Sequence, residues 1–261
     1  MGEPFLSVII PAFNEEKRIL PTLEKLQAYL GQQPFDSEII VADDGSTDST
    51  GEIVAGVSQR SPIPLRVLRL EHKGKGHAVR AGMLEASGEF RFMCDADLAM
   101  PVEQIARFLP PALGAIHVAI GSREAPGARR YEEPAYRHVM GRAFNLWVRL
   151  LTVRGIKDTQ CGFKCFTAGA AMSLFAQQRL QGFGFDVEVL FLAQKGQLRV
   201  EEIPIDWYHQ PESRVKPLRD TFRMSRDAAL VRWNHLMGRY HMAPMREILG
   251  VEGSGSRGSN G

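Results

Sequence analysis

Short apolar runs that end in polar clusters recur along the first 123 residues, and apolar positions at helical spacing follow most of them. The run from Phe5 to Pro11 leads through Asn14, an N-cap candidate, into Leu20, Leu23, Leu26 and Leu30. A second strand is predicted from Glu38 to Ala42. Its helix should start near Thr50, because Ser49 and Glu52 stand at capping-box spacing. "LRVLRLE" predicts a third strand, and "KGKGHAVRAGMLEASG" a helix with Gly88 as its C′ residue. "EFRFMCDAD" predicts a fourth strand. Pro101 then opens a helix through Val102, Ile105, Phe108 and Leu109, and "AIHVAIGSR" predicts a fifth strand.

Strands alternating with helices imply right-handed βαβ units, hence an α/β fold whose mostly parallel sheet carries helices on both faces. Ligands in such folds bind beyond the carboxyl ends of the strands. Asn14 and Glu15, Asp43 and Asp44, Lys73 to Lys75, Asp95 and Asp97, and Arg123 each follow a predicted strand, so they should gather along one edge.

The pattern changes after Arg123. "EAPGARRYEEPAYR" reads as a mobile loop, and the next stretch as a helix with Tyr136, Met140, Phe144, Trp147 and Leu151 on one stripe. "GIKDTQCGFKCF" reads as a Gly-rich loop, "GFGFDVEVLFLAQKG" as a helix and "LRVEEIPIDWYHQ" as a late strand. The segment from Pro211 to Tyr240 is basic. The expected division is one domain over 1–245, with a nucleotide-binding half to about residue 123, an acceptor half beyond it, and a disordered Gly/Ser-rich tail over 246–261.

At 261 residues with a net charge of +2, the chain can bury a substantial core and lacks the basic excess of a nucleic-acid binder. The three cysteines, Cys94, Cys161 and Cys165, cannot build a disulfide framework, which predicts a reducing, cytoplasmic setting. The start lacks the pattern of a signal peptide, and no apolar run approaches the roughly 18 residues of a membrane span. A soluble or peripheral protein is expected.

The chemistry concentrates in "CDADL". Two carboxylates one residue apart at a strand end repel and resist desolvation, and a hard divalent cation shared with substrate phosphates would relieve both. A solvated turn would also tolerate them. The motifs "SVIIPAFNE", "IIVADDGSTDST", "GKGHAVRAG", "CDADL", "GSR" and "DTQCGFK", in this order, resemble the family 2 glycosyltransferases, most closely the polyprenyl-phosphate (dolichyl-phosphate) group. "DTQCGFK" followed by "GFDVEVLFLA" looks like the glucosyltransferase branch.

That resemblance implies a GT-A fold and a nucleotide-sugar donor, UDP-glucose or GDP-mannose. It places Pro11, Ala12, Asn14, Glu15, Asp44, Lys75, Asp95 and Gln160 around the donor, and assigns Asp97, with Asp95, to Mg²⁺ or Mn²⁺. Relatives of the mannose type often carry a glutamine ligand where this chain has Ala99. Arg123 and Asp158 join Asp97 as catalytic candidates, and Arg214 and Lys216 are candidates for phosphate or acceptor contacts. The expected reaction is inverting transfer of a hexose, glucose ahead of mannose, to polyprenyl phosphate, an acceptor already ionised near neutral pH that needs no strong base. A soluble hydroxyl or phosphate acceptor, with Asp186 or Glu188 as base, and a non-catalytic nucleotide-sugar-binding module are the alternatives. The apolar stripe from Tyr136 to Leu151, and the basic segment with Trp233 and Leu236, read either as core or as surfaces resting on a membrane beside residues such as Arg142 and Arg149. A separate membrane partner protein is a further option.

Overall fold

The apolar runs form β1 (Leu6–Ala12), β2 (Ser37–Asp43), β3 (Leu65–Arg69), β4 (Phe90–Met93) and β5 (Val118–Ser122). β1 and β2 are buried on both faces, as continuous apolar runs in a parallel sheet should be. The computed structural model describes residues 2–112, 114–132, 152–209 and 217–241, with 217–222 described by backbone alone. The expected helix carrying Tyr136, Met140, Phe144, Trp147 and Leu151, with Arg142 and Arg149, lies outside the described residues, as do Arg214, Lys216 and the Gly/Ser-rich tail.

β6 (Arg129–Tyr131), β7 (Lys164–Thr167), β8 (Val200–Pro204) and β9 (Asp206–Tyr208) complete the strands. The main sheet has the order β3-β2-β1-β4-β7-β5-β8, and β6 pairs with β9 separately. All main-sheet pairings are parallel except those of β7, which runs antiparallel between β4 and β5. The mostly parallel α/β expectation is met.

Helices α1 (Ile19–Leu30) and α2 (Thr50–Ser58), with a 3-10 helix over Val102–Phe108, share one core with Leu6, Val8 and Ile10 of β1. Helices α3 (Lys75–Glu85), α4 (Ala168–Gln177), α5 (Phe185–Lys195) and α6 (Pro217–Leu236) share the opposite core with Ile9 and Ile40. Alternating side chains of a single strand thus feed both layers. No helix among the described residues is long and apolar enough to cross a membrane.

Several local expectations are corrected. α1 begins at Ile19, with Arg18 rather than Asn14 at its N-cap position, and Asn14 sits in the left-handed region at φ 54. Ser49 makes no side-chain cap bond; Asp48 Oδ1 instead accepts the Thr50 N–H, so the capping box does not form. α3 stops at Glu85, and Gly88 donates its N–H to Ser7 Oγ at the entry to β4, so it is no C′ residue. The helix after Pro101 is 3-10 in form. Part of the expected mobile loop forms β6. The single late strand is two: Ile205 is fully buried where the chain passes from β8 in the main sheet to β9 beside β6. β7 and α4 were missed, although the Thr167 side chain caps α4 by accepting the Ala170 N–H.

Phe92 is fully buried, with its ring edge-on to Phe108 at 5.2 Å and tilted against Phe163 at 6.4 Å, so it links β4, the 3-10 helix and the loop before β7. Truncating such a side chain removes transfer energy and leaves a cavity. Phe92→Ala should lower stability by about 3–5 kcal/mol, read as an earlier midpoint in urea unfolding with an unchanged slope.

Candidate active site

The loops after β1 and β2 lock together. Asn14 Oδ1 accepts the Thr47 N–H at 2.8 Å, Ser46 Oγ accepts the Asn14 N–H at 2.8 Å, and Thr50 Oγ1 accepts the Glu15 N–H at 2.7 Å. Glu15 receives the Arg18 guanidinium, with Nε at 2.7 Å and Nη2 at 2.8 Å. The buried Asp44 carboxylate accepts the N–H groups of Lys73 (3.0 Å) and Gly74 (2.8 Å), and His72 Nδ1 stands 2.8 Å from it. Asp44, expected to hold a base or ribose, thus fixes the loop that launches α3. The His72 ring stacks on Phe13 with centroids 4.1 Å apart.

Asp95 and Asp97 lie beyond β4. Thr22 Oγ1 of α1 donates to the carbonyl of Ala96 between them at 2.7 Å, and the Tyr208 N–H donates to the Ala99 carbonyl at 2.8 Å. These bonds pin the turn from two sides. Lys75 Nζ reaches Asp95 Oδ1 at 2.6 Å. On the other side Asp95 rests against Gly162 of "DTQCGFK": a Cβ there would fall 1.8 Å from Asp95 Oδ2, so only glycine fits without displacing the carboxylate.

Burial, reinforced by the neighbouring Asp95 charge, raises the Asp97 carboxyl to about 6, against the pull of the Ala99 N–H and of Lys75. Lys75 behaves oppositely. Burial disfavours its charge, but Asp95 and Asp186 outweigh that and hold the ammonium above the usual lysine range.

Behind Lys75 lies a second, fully enclosed ion pair, Lys164 Nζ to Asp186 Oδ1 at 2.6 Å, and Lys164 also donates to the Cys161 carbonyl. Beyond β5, the buried Asp158 accepts from the N–H, Nε and Nη2 of Arg123 at 3.0, 2.7 and 2.9 Å. Burial alone would raise Asp158, but Arg123 overrides it and holds the carboxyl at about 2. The Arg123 guanidinium also lies 5.3 Å from the centre of the Trp207 ring.

The residues named from sequence therefore converge. Pro11, Ala12, Asn14, Glu15, Asp44, Lys75, Asp95, Asp97, Arg123, Asp158 and Gln160 all lie at or just beyond the carboxyl edge of the parallel strands. Asp158 is fully buried against Arg123 and positions that guanidinium. Asp186 is committed to Lys164, and Glu188 to the N–H groups of Arg179 and Leu180 and the Tyr240 hydroxyl, so neither is poised as a base. Lys164, Gly162 and Arg18 were missed as supports. The first two sit inside a quoted motif, and the signal was the lysine in an otherwise apolar "GFKCF". The cysteines are free and buried, with burial pushing the Cys161 thiol up to about 12.

A model of Glycosyl transferase family 2 matches residues 7–176. The chain belongs to that family. Its relatives include the dolichyl-phosphate beta-glucosyltransferase ALG5C of Trichomonas vaginalis, 37% identical over 226 residues that cover 82% of this chain and 67% of that one. The human dolichyl-phosphate beta-glucosyltransferase is 32% identical over 261 residues, covering 93% and 79%. Among solved structures, glucosyl-3-phosphoglycerate synthase from Mycobacterium tuberculosis, in complex with Mn²⁺, UDP-glucose and glycerol 3-phosphate, superposes with a TM-score of 0.64 at 21% identity, covering 92% of this chain and 81% of that one. Mannosyl-3-phosphoglycerate synthase from Rubrobacter xylanophilus gives 0.65 at 18%, covering 92% and 77%. At these identities the structures establish the fold, which is the GT-A type expected for a glycosyltransferase of this family.

Among the described residues no group of three or more His, Cys, Asp and Glu side chains could hold a metal. Asp97, and Asp95 shared with Lys75, fit a hard divalent cation that takes few protein oxygens and completes its shell from phosphate and water. Gln160 adds a buried amide nitrogen with no hydrogen-bond partner among the described residues, a donor suited to an oxygen-rich ligand.

Two outcomes follow from the charges. Because the folded Asp97 carboxyl is raised to about 6, its ionisation above that pH opposes folding of the ligand-free protein. Asp97→Asn should therefore stabilise the ligand-free protein near pH 7.5 by on the order of 1–3 kcal/mol, and the gain should vanish below about pH 4, as thermal melts across pH would show. Asp158 has the opposite sign. Its depressed pKa contributes stability that is complete above about pH 4 and is lost as pH falls toward 2. Arg123→Ala, which strands that buried carboxylate, should cost about 3–5 kcal/mol, whereas Arg123→Ala combined with Asp158→Ala should cost less than the single change, in a denaturation cycle at neutral pH.

Proposed function

We propose that the protein transfers a hexose, glucose ahead of mannose, from a nucleotide sugar to polyprenyl phosphate, with inversion at the anomeric carbon and with Mg²⁺ or Mn²⁺ on the diphosphate. The family membership and the dolichyl-phosphate beta-glucosyltransferase relatives support the reaction class. The observation that carries the choice of acceptor is the commitment of the carboxylates: Asp95 to Lys75, Asp158 to Arg123, Asp186 to Lys164 and Glu188 to Tyr240. A hydroxyl acceptor must surrender a proton to a base, whereas a phosphate monoester, with a second pKa near about 6, arrives ionised.

In the proposed reaction an oxygen of the acceptor phosphate attacks the anomeric carbon, the bond from that carbon to the donor's β-phosphate oxygen breaks, and the nucleoside diphosphate leaves with the bonding electrons. The divalent cation, when bound, neutralises charge developing on that leaving group. Asp97 is the principal oxygen ligand offered to it. Lys75 holds Asp95 in place, and its ammonium adds positive charge beside the diphosphate. Pro11, Ala12, Asn14 and Glu15, with the loop held by Asp44, form the wall for the nucleoside. Arg123, oriented by Asp158 and Trp207, offers its guanidinium to phosphate oxygens. Arg214 and Lys216 are proposed to meet the acceptor phosphate, which a membrane surface would present to the enzyme.

Transfer should be measured with UDP-glucose and with GDP-mannose, each with Mg²⁺ or Mn²⁺, against a short polyprenyl phosphate and against water-soluble hydroxyl acceptors. Product is expected from UDP-glucose with the lipid phosphate, and Asp97→Ala should lower it by at least about a hundredfold while the circular dichroism spectrum is unchanged. Equal turnover on soluble hydroxyl acceptors would sink the acceptor assignment, and near-normal turnover by Asp97→Ala would sink the metal assignment.

A further inference from the structure

We propose that the outward face of α6 is a docking surface for an anionic lipid bilayer. Met224, Ala228, Val231 and Asn234 of α6 are buried against the α5 side of the core. On the opposite side of the same helix Leu230, Trp233 and Leu236 are 37%, 55% and 78% exposed, and Met237, just past the helix end, is 54% exposed. These positions recur at three- and four-residue steps, so they form one stripe along the helix. An aqueous surface gains nothing from a tryptophan and three large aliphatic side chains held in a row.

The charge around the stripe selects the occupant. Residues 223–241 carry four arginines, Arg223, Arg226, Arg232 and Arg239, against the single aspartate Asp227. All four arginines are exposed; Asp227, tucked against Gly184 with its side chain 13% exposed, pairs with Arg226 at 3.4 Å and leaves three arginines in excess. A second copy of this chain would bring a like set of arginines against the first and be repelled. An anionic headgroup layer attracts them, while its acyl boundary accepts the apolar residues and its interface suits tryptophan.

The surface is also joined to the reaction site. A Cβ on Gly184 would strike Asp227 of α6, one on Gly76 would strike Phe185 and Leu180, and one on Gly74 would strike the Gln181 carbonyl. The loop 181–184 and the first residue of α5 are therefore wedged between α6 and the start of α3, where Lys75 meets Asp95. Phe183, on that loop, is 38% exposed and extends the apolar surface from α6 toward the site. A protein lying on α6 would hold its phosphate-binding end close to the headgroup layer. This deepens the proposed lipid-phosphate acceptor and rests on that reading only for its catalytic consequence.

The full chain should be sedimented with vesicles of phosphatidylcholine alone and of phosphatidylcholine with phosphatidylglycerol, at low and high salt. Binding to the anionic vesicles is expected, weakening as salt rises, with a blue shift in tryptophan emission. The double variant Trp233→Ser with Leu236→Ser should melt as the parent does, lose the shift and partition at least about tenfold more weakly. Its transfer to a short, water-dispersed polyprenyl phosphate should be unchanged, while transfer to a long-chain acceptor in anionic vesicles should fall by a similar factor. Absence of parental binding at low salt, equal binding to neutral vesicles, or unaltered binding by the double variant would each overturn the proposal. So would a parental dimer that the double variant dissociates, with no vesicle binding by either. Vesicle binding lost in the double variant, with no transfer to either acceptor by the parent, would uphold the surface and refute the proposed reaction.

Discussion

A carboxylate removed from water stays ionised only where a cation answers it, and the edge of this sheet is organised by that constraint. Across the site the buried charges alternate in sign: Asp95 faces Lys75, Lys75 feels Asp186, Asp186 holds Lys164, and Lys164 in turn acts on Asp158, which grips Arg123. Each link satisfies its neighbours, so the chain of charges behaves as one electrostatic unit running from the donor side to Arg123. Asp97 stands at one end. It receives the Ala99 N–H and distant attraction from Lys75 and Arg18, and its carboxyl is still raised. Asp97 is thus the end of this series of charges that no ion pair among the described residues balances, and a divalent cation would bind favourably there.

The antiparallel strand β7 makes this arrangement possible. In a parallel sheet the carboxyl edge receives only segments that leave strands. A strand running the other way receives its entering segment at that same edge. β7 pairs with β4 so that Lys164 lies beside Met93, and extending the register two steps sets Gly162 opposite Asp95. Its pairing with β5 sets Lys164 beside Ile120, and extending that register three steps brings Cys161 opposite Arg123. One short loop therefore supports both Asp95 and Arg123. A methyl group on Gly162 would break the first support, and loss of Lys164 would remove the positive charge between Asp158 and Asp186.

Much of this was legible in the sequence because period and order carry it. The buried runs of β1 and β2, the helical repeat through Leu23, Leu26 and Leu30, and the polar clusters after successive strands specify a parallel sheet with its chemistry on one edge. β7 was not legible: four residues, Lys164 to Thr167, are too short to show a period, and a lysine at the first of them argues against a buried strand. Only the fold supplies Asp186, distant in sequence, to make that lysine tolerable. The same limit applies to the internal partners of Asp158 and Asp44. Sequence marks a carboxylate in a motif as chemical, but whether its oxygens face a ligand or a backbone N–H depends on segments that arrive from elsewhere, here Arg123 and the Lys73–Gly74 turn.

That distinction bears directly on the reaction. An enzyme that must deprotonate a hydroxyl keeps a carboxylate or histidine uncommitted near the attacking oxygen, at a pKa matched to the working pH. Here Asp158 is driven far below that range by Arg123, while Asp186 and Glu188, though raised by burial, spend their oxygens on Lys164 and on Tyr240 with the backbone of Arg179 and Leu180. Asp97 has the most suitable value, but it sits beside Asp95 on the side where a cation would claim it. A cation bound there would bring its raised pKa down and end any role as a base. The site is therefore built to gather and neutralise negative charge on two phosphates, and an acceptor that brings its own ionised oxygen is the one its electrostatics serve.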